Sequence, residues 1–221
     1  MAARAARHGP ARTPGGLRWS ELERTLQRTY GPLLAAVDEV GRGPLAGPVV
    51  VCALVMPPDA PEVPGVDDSK KLAPEARAGA AAAVRAAAVA YALGAASARE
   101  VDALNVYHAT VLAMRRALAG LARRLGRAPD HVLVDGKPLR TLGTPHTAVV
   151  GGDARCYAVA CASVVAKVTR DRLMRALAAR HGAYAWERNA GYPTPAHRAA
   201  VAAFGPTAHH RRSFLAARPA P

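Results

Sequence analysis

The chain has 221 residues, 51% of them hydrophobic, which suffices for one substantial core. Its 30 Lys and Arg against 16 Asp and Glu leave a formal net charge of +14, so a polyanionic partner, nucleic acid foremost, is expected. Three cysteines without zinc-type spacing argue against a disulfide framework and for a reducing, cytoplasmic setting, while Pro44, Pro48, Pro57 and Pro58 break up the longest apolar stretch and argue against a membrane span.

Residues 1–18 are rich in Arg and hold no acid, and no hydrophobic signal core follows them, so residues 1–30 are expected to form a basic, flexible extension. Within it Ser20 can cap a short helix to about Arg28, with Glu21 and Glu23 in its first turn. Gly31-Pro32 ends that helix. Strands are predicted over 33–38 and 48–56, followed by a proline-rich loop that leads to Asp67-Asp68-Ser69-Lys70-Lys71. Pro74 opens an alanine-rich helix to about Ala88, and a weakly marked strand covers 89–97. Two helices, 98–105 and 107–125, end at Gly126.

Farther along, His131-Val132-Leu133-Val134 reads as a buried strand ended by Asp135-Gly136, and 146–150 as another ended by Gly151-Gly152-Asp153. Each strand delivers an aspartate to a turn. A long helix over 157–180 turns basic along its length, and the remainder holds the loop Gly191-Tyr192-Pro193-Thr194, a helix from Thr194 to Phe204 and the basic run His209 to Arg212. This order predicts a mixed α/β sheet flanked by helices, with a helical C-terminal portion.

Asp38, Glu39, Asp135 and Asp153 thus fall at strand or turn ends. Oxygen-only donors with no His or Cys partner select hard Mg²⁺ or Mn²⁺ over zinc, and two such ions can promote in-line hydrolysis of a phosphodiester. Any one of these acids could equally be a solvated turn residue. Successive strand residues face opposite sides, so Asp38 and Glu39 can share a site only where the strand ends or bends. The next residues, Gly41-Arg42-Gly43, suit close approach of backbone amides to a sugar or phosphate; a plain turn carrying a surface arginine fits the composition as well. Asp171, with Lys167 and Arg175 four residues to either side, reads as an intrahelical ion-pair partner and not as a ligand.

In combination these segments resemble the ribonuclease HII family, of the ribonuclease H-like superfamily. Residues 36–50, Ala-Val-Asp-Glu-Val-Gly-Arg-Gly-Pro-Leu-Ala-Gly-Pro-Val-Val, are similar to its first motif and Asp68-Ser69-Lys70-Lys71-Leu72 to its second. Leu133 to Gly136, Gly152-Asp153-Ala154, Ala162 to Arg172, Gly191 to Thr194 and Gly205 to Phe214 continue the likeness in order, over about 34–215. Pro193 departs from the glycine often found after that tyrosine.

The resemblance implies a ribonuclease H-like catalytic domain over 31–217, followed by a tail, 218–221. Asp38, Glu39, Asp135 and Asp153 would be the catalytic, metal-holding carboxylates, with Mn²⁺ or Mg²⁺ as cofactor. Gly41, Arg42 and Gly43 would read the ribonucleotide and Tyr192 would pack on the adjoining deoxyribose. On the residues themselves, Ser69 and Lys70 read as phosphate contacts or plain surface residues, and Arg211 as a substrate-phosphate contact or part of a solvated C-terminal face. The implied activity is hydrolysis of the RNA strand of RNA–DNA hybrids and cleavage 5′ of ribonucleotides embedded in duplex DNA, leaving a 3′-hydroxyl and a 5′-phosphate, a step of ribonucleotide excision repair. The competing readings are another ribonuclease H-like nuclease and a basic nucleic-acid-binding protein without catalysis. With no heptad or self-complementary apolar stripe, a monomer is expected.

Overall fold

A computed structural model describes residues 16–58, 60–67 and 72–216. Its centre is β1 (Leu34–Val40), whose first four residues are apolar and buried on both faces, as an inner strand requires. β2 (Val49–Val55) pairs antiparallel with β1, and β3 (Ala90–Ala96) pairs antiparallel with β2. On the other side β4 (His131–Asp135) runs parallel to β1 and β5 (His146–Val149) parallel to β4, giving the order β3-β2-β1-β4-β5.

Strand alternation divides the core in two. Ala36, Cys52, Leu54 and Leu133 pack with the small residues of α4 (Tyr157–Ala178), whereas Ala35, Val37, Val51, Ala53 and Val134 pack with α3 (Ala98–Leu125). Gly94 on β3 lets α3 lie close to the sheet: a Cβ there would stand 2.6 Å from the backbone nitrogen of Ala117. α3 is two helices in sequence. Asn105, at φ 64° and ψ 167°, breaks it, and its Oδ1 accepts from the N–H groups of Tyr107 (2.9 Å) and His108 (3.1 Å), capping the second segment.

Residues 16–30, expected within a flexible extension, differ from that expectation. They carry α1 (Glu21–Tyr30), and Leu26 of this helix and Trp19 just ahead of it are buried in the α4-side core. Glu23 closes a capping box with Ser20 and also accepts from Tyr157 N–H (3.0 Å) and Ala158 N–H (2.7 Å), the first turn of α4. Composition hides this, because a fully buried Glu looks like any first-turn acid until its second helix is known. Residues 1–15 and 217–221 lie outside the described residues.

α2 (Pro74–Ala87) packs on α4, and a third, small cluster forms beyond it. There Trp186 of α5 (Trp186–Asn189), Tyr184, Met174, Ala46 and Ala200 of α6 (Pro195–Phe204) come together, followed by α7 (Arg212–Ala216). Among the described residues no helix is long and apolar enough to cross a membrane.

Candidate active site at the rim of the central strands

β1 and β4 run parallel in the register Val37↔Val134, so the residues that follow, Asp38 and Asp135, reach the same rim of the sheet. The loop after β5 returns to that rim, where Gly152 N–H donates to Asp135 Oδ1 at 2.6 Å. Asp153, buried, is the next residue, in a short 3₁₀ turn (Gly152–Ala154) ahead of α4. A turn tied to the first aspartate therefore carries the last one in. Asp38 and Glu39 leave β1 on opposite sides, as alternation dictates, but both stand at the end of the strand, where the charge of Asp135 reaches each of them. Asp38 is held from the α4 side by Ser163, and Glu39 lies on the α3 side, paired with Arg42 at 3.2 Å.

Asp38 and Glu39 resist ionisation. Burial, the Glu39 charge and then Asp135 hold Asp38 well above the usual carboxylate range, even though Ser163 and the Glu39 N–H (2.7 Å) favour its anion. Burial, with a contribution from Asp135, also raises Glu39, against the pull of Arg42. Like charges facing one another in a partly dry rim suit a hard cation, and the donor set is wholly oxygen. Among the described residues no three His, Cys, Asp or Glu side chains stand together closely enough to hold a metal ion.

Beside the rim opens a groove of about 500 Å³ lined by Glu39, Arg42, Tyr107, Met114, Asp135 and Lys137, among others. At its edge the 41–43 loop meets the tyrosine loop. Gly41 has φ +92°, and a Cβ on it would collide with the Arg170 side chain and come within 2.8 Å of the Pro48 carbonyl, so only glycine fits. Gly43 is open toward Tyr192, whose ring atom Cε1 would be 3.8 Å from a Cβ there. Tyr192 is 44% exposed, leaving its ring free to meet a ligand.

Arg211 is a correction. Expected to contact substrate, it is instead fully buried, with its guanidinium spent on backbone carbonyls of the 41–47 loop. Ser69 and Lys70 lie outside the described residues. Asp171 is paired with Lys167 at 2.6 Å and Arg77 at 3.4 Å, away from the rim acids.

A family profile described as ribonuclease HII matches residues 35–217. The chain belongs to the ribonuclease HII family. Ribonuclease HII of Granulibacter bethesdensis is 52% identical over 193 residues, 86% of each chain, and that of Paracoccus denitrificans is 52% identical over 87% of this chain and 90% of its own. The crystal structure of ribonuclease H2 from Pyrococcus horikoshii superposes with a TM-score of 0.68 at 26% identity, covering 81% of this chain and 92% of that one. The mixed sheet flanked by helices is accordingly the ribonuclease H-like fold.

Sequence reasoning missed three residues that shape this ribonuclease HII site. Arg170 and His197 are each fully buried, and Lys137 lines the groove. Only Lys137 left a signal, following directly on the Asp135-Gly136 turn; a buried Arg in a basic helix reads like its exposed neighbours.

Proposed function

We propose that Asp38, Glu39, Asp135 and Asp153 carry the ribonuclease H reaction that membership of the ribonuclease HII family gives this chain, acting on RNA–DNA hybrids and on single ribonucleotides embedded in duplex DNA. The observation that supports this most is the convergence of Asp38 and Asp135 at one strand rim, with Asp153 on a turn bonded to Asp135. These four oxygen donors would hold Mg²⁺ or Mn²⁺, which when bound supplies Lewis-acid activation of the attacking water and stabilises the leaving oxygen.

The chain's own residues do the rest. Ser163 and the Glu39 N–H hold the Asp38 carboxylate in place, and Gly152 N–H orients that of Asp135. Arg42 is exposed over half its side chain and balances Glu39, a position from which it can also meet a backbone phosphate. Arg42 and Gly43, both exposed, offer amides to a ribose hydroxyl, the group that distinguishes RNA from DNA, and the Tyr192 ring supplies a flat apolar surface for the neighbouring sugar. Cleavage on the 5′ side of the ribonucleotide would leave a 3′-hydroxyl and a 5′-phosphate.

The test is nicking of a duplex carrying one ribonucleotide, with Mg²⁺ or Mn²⁺ supplied. Asp38→Asn and Asp135→Asn should each lower kcat by about a thousandfold or more while duplex binding persists, a loss on the scale of removing one preorganised electrostatic group. Tyr192→Ala should act mainly through KM for that substrate. Full nicking by either Asn variant would remove the carboxylates from the reaction.

A further inference from the structure

Beneath the 41–48 loop lie two guanidinium groups, both wholly buried, with no carboxylate in ion-pair contact with Arg211 among the described residues. Arg211 donates from Nη2 to Gly41 O (2.6 Å) and Gly47 O (2.8 Å), from Nη1 to Arg42 O (2.8 Å) and from Nε to Gly47 O (3.1 Å). Arg170 donates to Ala46 O (3.0 Å), Pro48 O (3.0 Å) and Ala190 O (2.9 Å). Five carbonyls of one short loop are thereby turned inward on two cations. Burial and the Arg170 charge pull Arg211 down to about 10, which leaves it charged at neutral pH.

The root of Arg211 is fixed as well. Its own N–H donates to Leu45 O (2.8 Å), and Gly47 N–H donates to His209 O (2.9 Å), so the 209–211 segment lies along 45–47 as a short antiparallel bridge. His210 is held in turn by His197 (3.1 Å) and Thr207 (3.0 Å), and His197 Nδ1 bonds to the Tyr192 carbonyl (2.8 Å). The C-terminal portion thus grips both loops at the edge of the groove.

In a trans peptide the N–H of one residue points opposite to the C=O of the residue before it. No cis peptide occurs here, so drawing in the carbonyls of Gly41 and Arg42 turns the N–H groups of Arg42 and Gly43 outward. Both residues are exposed, and neither amide donates a hydrogen bond among the described residues. We infer that Arg211 is the positioning residue for ribonucleotide selectivity: by fixing the carbonyls of Gly41 and Arg42 inward it aims two backbone amides at a ribose 2′-hydroxyl beside Tyr192. This rests on the reading of the 41–43 loop given above. A deoxyribose offers no oxygen at that place, so discrimination depends on the aim of the amides and not on charge. Lysine cannot replace the planar fork, since one ammonium cannot span three carbonyls in the same directions.

Two quantities separate the roles: KM for a duplex with one embedded ribonucleotide, and Ki of the same duplex made wholly of DNA as competitor. For the unaltered protein Ki should exceed KM. Arg211→Lys, shown folded by circular dichroism and melting, should raise KM at least tenfold while Ki moves less than twofold, collapsing the ratio. An unchanged ratio, or KM and Ki rising in parallel, would overturn the inference, because a purely structural or electrostatic role affects both duplexes alike. If Arg211→Lys does not fold, Arg211→Gln serves the same comparison; failure of both to fold makes Arg211 a folding residue and also overturns it. A ratio near one in the unaltered protein would instead sink the loop's ribonucleotide reading itself, independently of Arg211.

Discussion

Asp38 shows how a single residue can be costly to the fold and useful to the chemistry. Burial, Glu39 and Asp135 all oppose its charge, so its folded-state pKa lies above the ordinary 3.8. A carboxyl raised in this way takes up protons on folding, and the stability it contributes is present at low pH and lost as pH rises past the unfolded value. Asp38→Asn should therefore raise the melting temperature of the metal-free protein at pH 7, by about 2–4 °C for each kcal/mol of repulsion relieved, and the gain should shrink toward pH 4. The same variant should be inactive. A lower melting temperature at pH 7 would mean that the hydrogen bonds to its carboxylate outweigh the repulsion. At this scale the rim acids were legible because Asp at the end of an apolar run is conspicuous, whereas Arg211 was not, since its exposed neighbour Arg212 carries the same charge and only packing separates them.

Among the elements, α1 is the clearest case of a helix whose purpose is set by another. Its capping box was readable from Ser20 and Glu23, yet the same carboxylate also serves the buried start of α4, where the N-cap residue Cys156 makes no side-chain cap. Four unpaired N–H groups at a buried helix start need acceptors, and an anion there also opposes the positive end of the helix dipole. Glu23→Ala should lower unfolding free energy by about 2–3 kcal/mol or more, the range for losing hydrogen bonds to a charged group, as measured by urea denaturation. Because α4 carries Ser163 and follows Asp153 directly, activity should fall along with stability. A change under about 0.5 kcal/mol would show that water replaces the carboxylate. Element types and bounds were otherwise largely visible, since apolar period and Gly or Pro punctuation are local; even the break at Asn105 fell where two helices were expected to meet.

For the whole molecule, the formal charge of +14 makes duplex binding a salt-dependent process. Affinity for a ribonucleotide-containing duplex should weaken at least about tenfold between 50 and 200 mM salt, and deleting residues 1–15, with Arg4, Arg7 and Arg12, should reduce the slope of log affinity against log salt by at most about three. A slope unaffected by salt would mean that the charge lies away from the bound nucleic acid. The amino-acid order alone determined the strands and helices, the acids at their ends and the family, because each is written in short-range pattern or contiguous motif. Tertiary structure alone decided the sheet order β3-β2-β1-β4-β5, the second use of Glu23 and the burial of Arg211 under the 41–47 loop. Those features join residues as far as 170 positions apart, and no local pattern records which distant carbonyl a guanidinium will meet.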